Sequence, residues 1–165
     1  MPIFVSSAVH AHTVEPEHIV LLESKQGECG IKADYLLSGS ILRVELAGQP
    51  SGRAGRVLAR AYAPNAVTPP MRDIWLKSTT LFTLGSFRPA KENSQGILEM
   101  SGEVDRTLLA AVVREIADGD VEISLIFDGV LPASRLAVGL PSPLPADVAA
   151  LLNDCAADLE KTKAP

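Results

Sequence analysis

Between residues 31 and 61 apolar side chains recur at every second position: Ile31, Ala33, Tyr35 and Leu37, then Leu42, Val44 and Leu46, then Val57, Ala59 and Ala61. A period of two places each set on one face of a strand. The short break Ser38-Gly39-Ser40 and the longer Gly48-Gln49-Pro50-Ser51-Gly52 carry turn residues, so these three strands are expected as an antiparallel meander. Residues 3–9 alternate in the same way and predict another strand, with His10 and His12 following on its second face. Over residues 16–26 the signals compete. Pro16, Glu17 and Gly27 punctuate a helix, whereas Ile19-Val20-Leu21-Leu22 reads equally as a buried strand, and the helix is the preferred expectation.

In the C-terminal third the period changes. Leu108, Val112 and Ile116 recur every four residues beside Leu109 and Val113, with Asp105 placed to cap the helix and Gly119 to end it. Residues 121–127 alternate as a strand, Asp128-Gly129 turns the chain, and Leu136, Val138 and Leu140 mark the next strand. After the proline-rich stretch 141–145, Val148, Leu151, Leu152, Cys155 and Leu159 predict a helix over 146–161. Leu98, Met100 and Val104 mark one more strand; residues 71–84 fit strand and helix alike. Proline and glycine content predicts loops at 64–70 and 85–96, and residues 162–165 are expected as a flexible tail.

These elements predict an α+β class, one domain over residues 1–165. It would have a mainly antiparallel sheet of about six or seven strands, with two or three helices packed on one face. That element order is similar to the one found in small acidic secretion chaperones, apart from an insertion spanning Pro64 to Val104. The resemblance implies a partner-binding role without catalysis.

Charge and composition narrow the partners. The chain carries 15 Lys and Arg against 20 Asp and Glu, for a net charge of −5; residues 1–104 hold ten of each, so the excess lies entirely in the C-terminal third. An acidic chain with 4% aromatic residues gains little counterion-release or stacking affinity, so nucleic acid is a disfavoured partner. No apolar run approaches the roughly 18 residues of a membrane helix, and no membrane partner is expected. Met1-Pro2-Ile3-Phe4-Val5 has no basic n-region, so the expected location is cytoplasmic, with Cys29 and Cys155 as free thiols.

Three clusters could carry chemistry. All the histidines, His10, His12 and His18, fall in the first 18 residues, which excludes a Ser-His-Asp relay assembled from separated segments. Two imidazoles on one strand face, with Glu15, Glu17 and His18 nearby, could hold a divalent metal, and His10, His12 and Glu17 resemble the first half of the cupin metal motif. The second half has no counterpart, because no later histidine exists. The same residues also fit the solvated polar end of a strand.

Gly52-Arg53-Ala54-Gly55-Arg56, with Arg60 after it, is a basic glycine loop in which Arg53, Arg56 and Arg60 could meet an anion or an acidic partner. Its Gly-x-x-Gly resembles the clamp of K-homology RNA-binding domains, although that clamp joins two helices and this one joins predicted strands. Asp118-Gly119-Asp120 with Asp128 could hold calcium but lacks the closing glutamate of a calcium loop. No cofactor is expected apart from that divalent metal. The leading expectation is a non-enzymatic module, binding a protein partner or itself as a homo-oligomer through a sheet edge or an exposed apolar face. The competing expectation is a metal-binding protein or metal-dependent enzyme centred on His10, His12 and Glu17.

Overall fold

Once three alternating strands are in register, all their apolar residues lie on one side and demand a covering layer. The computed structural model describes residues 14–22, 27–37, 40–51, 54–64, 71–78, 87–92, 96–127 and 135–161. Its chain order is β1 (His18–Leu21), β2 (Cys29–Leu37), β3 (Ser40–Ser51), β4 (Ala54–Tyr62), β5 (Met71–Lys77), β6 (Phe87–Glu92), β7 (Leu98–Asp105), α1 (Arg106–Asp118), β8 (Glu122–Phe127), β9 (Arg135–Val138) and α2 (Ala146–Lys161). Six strands form one antiparallel sheet in the order β1-β2-β3-β4-β7-β6, and β5-β8-β9 form a smaller antiparallel sheet. The class is α+β as expected, with two helices.

One face of the large sheet is the core wall. Ile31, Ala33 and Tyr35 of β2, Leu42, Val44 and Leu46 of β3, Val57, Ala59 and Ala61 of β4, and Leu98, Met100 and Val104 of β7 are all buried there. Both helices lie on this face. Helix α1 presents Leu109, Val112, Val113 and Ile116, and α2 presents Val148, Leu152, Ala156 and Leu159. Leu151, expected in that stripe, is 52% exposed, because the stripe turns towards Ala156. Ile74, Ile123, Leu125 and Val138 bring the small sheet into the same cluster, and the buried Tyr35 hydroxyl donates to Gly139 O at 2.9 Å.

The helix ends follow the sequence. Asp105 accepts from Leu108 N–H at 2.8 Å and caps α1, and Gly119 ends it at φ +74°, where its N–H reaches the carbonyls of Glu115 and Ile116.

Four expectations need correction. Within residues 16–26, expected as a helix, His18–Leu21 form strand β1, since pairing with β2 satisfies the backbone of the apolar run; residues 23–26 lie outside the described residues. The loop expected at 85–96 contains β6, which β7 recruits as a strand despite Pro89. The turn expected at Gly48–Gly52 is mostly strand, with pairing continuing to Ser51↔Ala54. Gly48 is there for proximity: a Cβ would stand 2.8 Å from Val113 Cγ2 and 3.0 Å from Leu109 Cδ1. Finally, Cys29 and Cys155 are not free thiols but form a disulfide, with Cα atoms 5.9 Å apart. Folding, and not spacing along the chain, brings them together. Residues 3–9, 65–70 and 162–165 lie outside the described residues.

Two outcomes follow from this packing. Gly48→Ala should cost about 1–3 kcal/mol by overpacking and Leu109→Ala about 2–5 kcal/mol by cavity formation. The double variant should cost less than the two together, because each change relieves the other, and urea unfolding of all four proteins measures it. Cys29→Ser with Cys155→Ser should lower stability by about 2–5 kcal/mol, since the bond closes a loop of 126 residues, while retaining the native circular dichroism.

Candidate functional site

The sheet edges and the face turned away from the helices are the surfaces of the large sheet that the helical layer does not cover. On the opposite face most residues between the core positions are polar, around a buried Ala47–Leu58 pair, and register puts opposite charges side by side. Asp34 of β2 lies opposite Arg43 of β3, which lies opposite Tyr62 of β4; Glu45 of β3 lies opposite Arg60 of β4, which lies opposite Glu99 of β7. Arg43 donates to Asp34 through two bonds, Nε to Oδ1 at 2.6 Å and Nη2 to Oδ2 at 2.7 Å. Its guanidinium carbon is 5.9 Å from the Tyr62 ring centroid. The Tyr62 hydroxyl donates to Glu45 Oε1 at 3.2 Å, and Arg60 is 3.5 Å from Glu45 Oε2 and donates to Glu99 Oε2 at 2.9 Å. A ladder of charge therefore crosses four strands. The Arg43 hydrogen bonds hold the Asp34 carboxyl below the usual aspartate range, outweighing the opposing effect of burial. Sequence reading missed this ladder, although polar residues at positions 32, 34, 43, 45, 60 and 62 alternate with core positions as visibly as the apolar ones do.

At the hairpin end of this face Leu36 and Ile41 stand opposite one another, 53% and 38% exposed. Nearer the edge, Val20 of β1 is 46% exposed. Strand β1 itself is the end of the sheet. Leu22 N–H donates to Gly30 O at 2.9 Å, and the antiparallel alternation then turns the backbone groups of Val20 and His18 towards β2. The N–H and C=O of Ile19 and Leu21 point outward.

The other edges are protected. Strand β6 carries Pro89 and Lys91, has a register irregularity between Arg88 and Lys91, and lies beside β5. Strand β9 receives Val14 as a bridge to Val138, with Gly139 N–H donating to Val14 O. Strand β5, the fourth edge, lies beside β6 and β7, and among the described residues no segment flanks the outer side of β1.

The expected site residues separate accordingly. His10 and His12 lie outside the described residues, as do Arg53 and Asp128. Glu15, Glu17 and His18 are exposed at the start of β1, and Glu17 N–H donates to Asp34 O. Among the described residues no three potential ligands group around a metal position. Arg56 lies on the open face opposite Glu103, and Arg60 belongs to the ion-pair ladder. Gly55, expected to open the loop to an anion, is buried beneath Leu109: a Cβ there would stand 2.5 Å from Cδ2. Asp118 and Asp120 are exposed, and their backbones complete the end of α1, with Ser142 Oγ donating to Asp118 O and Asp120 N–H to Glu115 O.

Asp34→Asn tests the ladder. Because folding lowers the Asp34 pKa, its contribution is present above the unfolded value of about 4 and disappears as pH falls through the lower folded value. The variant should therefore be less stable by about 1 kcal/mol at neutral pH, and the difference should shrink below about pH 4 in urea titrations at graded pH.

Among described residues no helix is long and apolar enough to cross a membrane. Compared with known proteins, the chain matches no family model, no curated protein and no solved structure at a significant level.

Proposed function

We propose that this protein is a non-enzymatic binding module that takes up an extended segment of another polypeptide as an added strand along β1. The observation that carries the reading is the contrast between edges: β6 and β9 are blunted or covered and β5 lies beside β6 and β7, whereas among the described residues nothing pairs with the outward backbone groups of Ile19 and Leu21, on a strand free of Pro and Lys. Two faces meet at that edge. Ile19 and Leu21 pack partly against the core, and Val20 lies on the open face.

An added strand with alternating side chains would thus place apolar residues beside Ile19 and Leu21 and polar ones beside Val20. Charge selects a basic segment. Glu15 and Glu17 are exposed just before β1, and α2, which packs on β1, exposes Asp147, Asp154 and Asp158. A second copy would bring a further net charge of −5 to the same edge, so a foreign basic strand fits better than self-association.

The test uses a fluorescein-labelled peptide of alternating lysine and valine, followed by anisotropy. Saturable binding is expected, weakened by added salt and by about tenfold or more in Val20→Lys, an exposed position that leaves the fold intact. Ile19→Pro removes one outward N–H and should abolish binding, whereas Ile19→Ala keeps the donor and should retain it. Equal binding by Val20→Lys, or none by the unaltered protein, overturns the reading. A dimer by light scattering that Val20→Lys converts to monomer would assign the edge to a second copy instead.

A further inference from the structure

We propose that the Cys29–Cys155 bond is an exchangeable disulfide, a site at which a small thiol reacts reversibly from the cavity beside it. A cavity of about 290 Å³ opens at this bond, lined by both cysteines together with Gly27, Pro50, Arg106 and Asp158. Exchange requires a thiolate to approach one sulfur in line with the bond, and a disulfide sealed inside a core excludes that approach. Here both partners line an open space. Cys29, at the start of β2, is 2% exposed, whereas Cys155 on α2 is partly exposed, so Cys155 is the sulfur that receives the attack.

The cavity wall carries one charge of each sign. Arg106, the first residue of α1, places a guanidinium there, which favours an incoming thiolate and the thiolate that departs. Asp158 carries the opposite charge but lies at the exposed rim, with Lys161 Nζ at 3.4 Å from its carboxylate.

The chemistry balances with two thiols of one class. The first thiolate bonds to Cys155 Sγ as the Cys29–Cys155 bond breaks, and the electron pair leaves on Cys29 Sγ, which takes a proton from water. A second thiolate then attacks the sulfur of the bound small thiol, releasing a symmetric small disulfide and leaving Cys155 as a thiolate. The protein gains two electrons, and two small thiols are oxidised to one disulfide. The fold does not depend on the bond for the position of α2. Val148, Leu152, Ala156 and Leu159 are buried against the core, and Arg114 of α1 pairs with Glu160. The exchange is independent of whether β1 accepts a strand.

Glutathione serves as the probe. The folded full chain is equilibrated in buffers of graded reduced-to-oxidised glutathione, quenched with acid, and read by intact mass and peptide mapping. Three species are expected without denaturant: the internal disulfide, a glutathione adduct on Cys155, and the dithiol, all with native circular dichroism. Arg106→Gln should slow reaction with glutathione and with mercaptoethanol several-fold in the folded protein, because both attack as thiolates, and should leave the rates in urea unchanged. Reduction only after denaturation, or an adduct on Cys29 alone, overturns the proposal. An Arg106→Gln rate equal to that of the unaltered protein with glutathione overturns the role of the guanidinium.

Discussion

Cys29, Gly48, Val57 and Gly102 stand in one row across four strands, and the register that aligns them is the constraint on which every other layer depends. A slip of one residue in any strand would exchange its core face for its charged face. The same row explains where the helices sit. Its small side chains let α1 settle onto Gly48 through Val113 and Leu109, and they place Cys29 where α2 can reach it with Cys155. Larger residues along that row would push the helical layer away from the sheet and open the core that both layers share.

The opposite face uses the same register for a different purpose. Charges of alternating sign on β2, β3, β4 and β7 neutralise one another in place, so the face stays hydrated without accumulating repulsion. These pairs are partly buried, so water screens them less than it would on an open surface. The arginines of the ladder have carboxylate partners within the sheet, Arg43 with Asp34 and Arg60 with Glu45 and Glu99. The ladder leaves Leu36, Ile41 and the β1 edge uncovered, and the proposed strand uptake uses that edge.

Helix α2 adjoins both surfaces of interest. It packs on β1 and β2, and its Cys155 closes one side of the cavity at the start of β2. The buried stripe of α2 holds the helix while the disulfide ties its C-terminal half to the sheet, so the proposed exchange at the cavity and the proposed strand uptake at the edge have a common support.

Strands β2, β3, β4 and β7 and both helices were legible in the chain because each has an apolar period that only one conformation satisfies, and Asp105 and Gly119 mark helix ends through local hydrogen bonding. Local information could not decide residues 16–26, where an apolar run of four suits either conformation until β2 offers its edge, nor 85–96, where β7 overrides the loop signals of Pro89 and its neighbours. Gly48 and Gly55 have the composition of a turn and serve as room for Leu109, a role visible only when a helix lies across them. The disulfide likewise joins positions 126 residues apart. The chain alone determined which residues share a face, because that follows from backbone geometry over a few residues. Tertiary structure decided which edges stay open, which charges are already paired and which sulfurs meet, because each depends on distances between segments far apart in sequence.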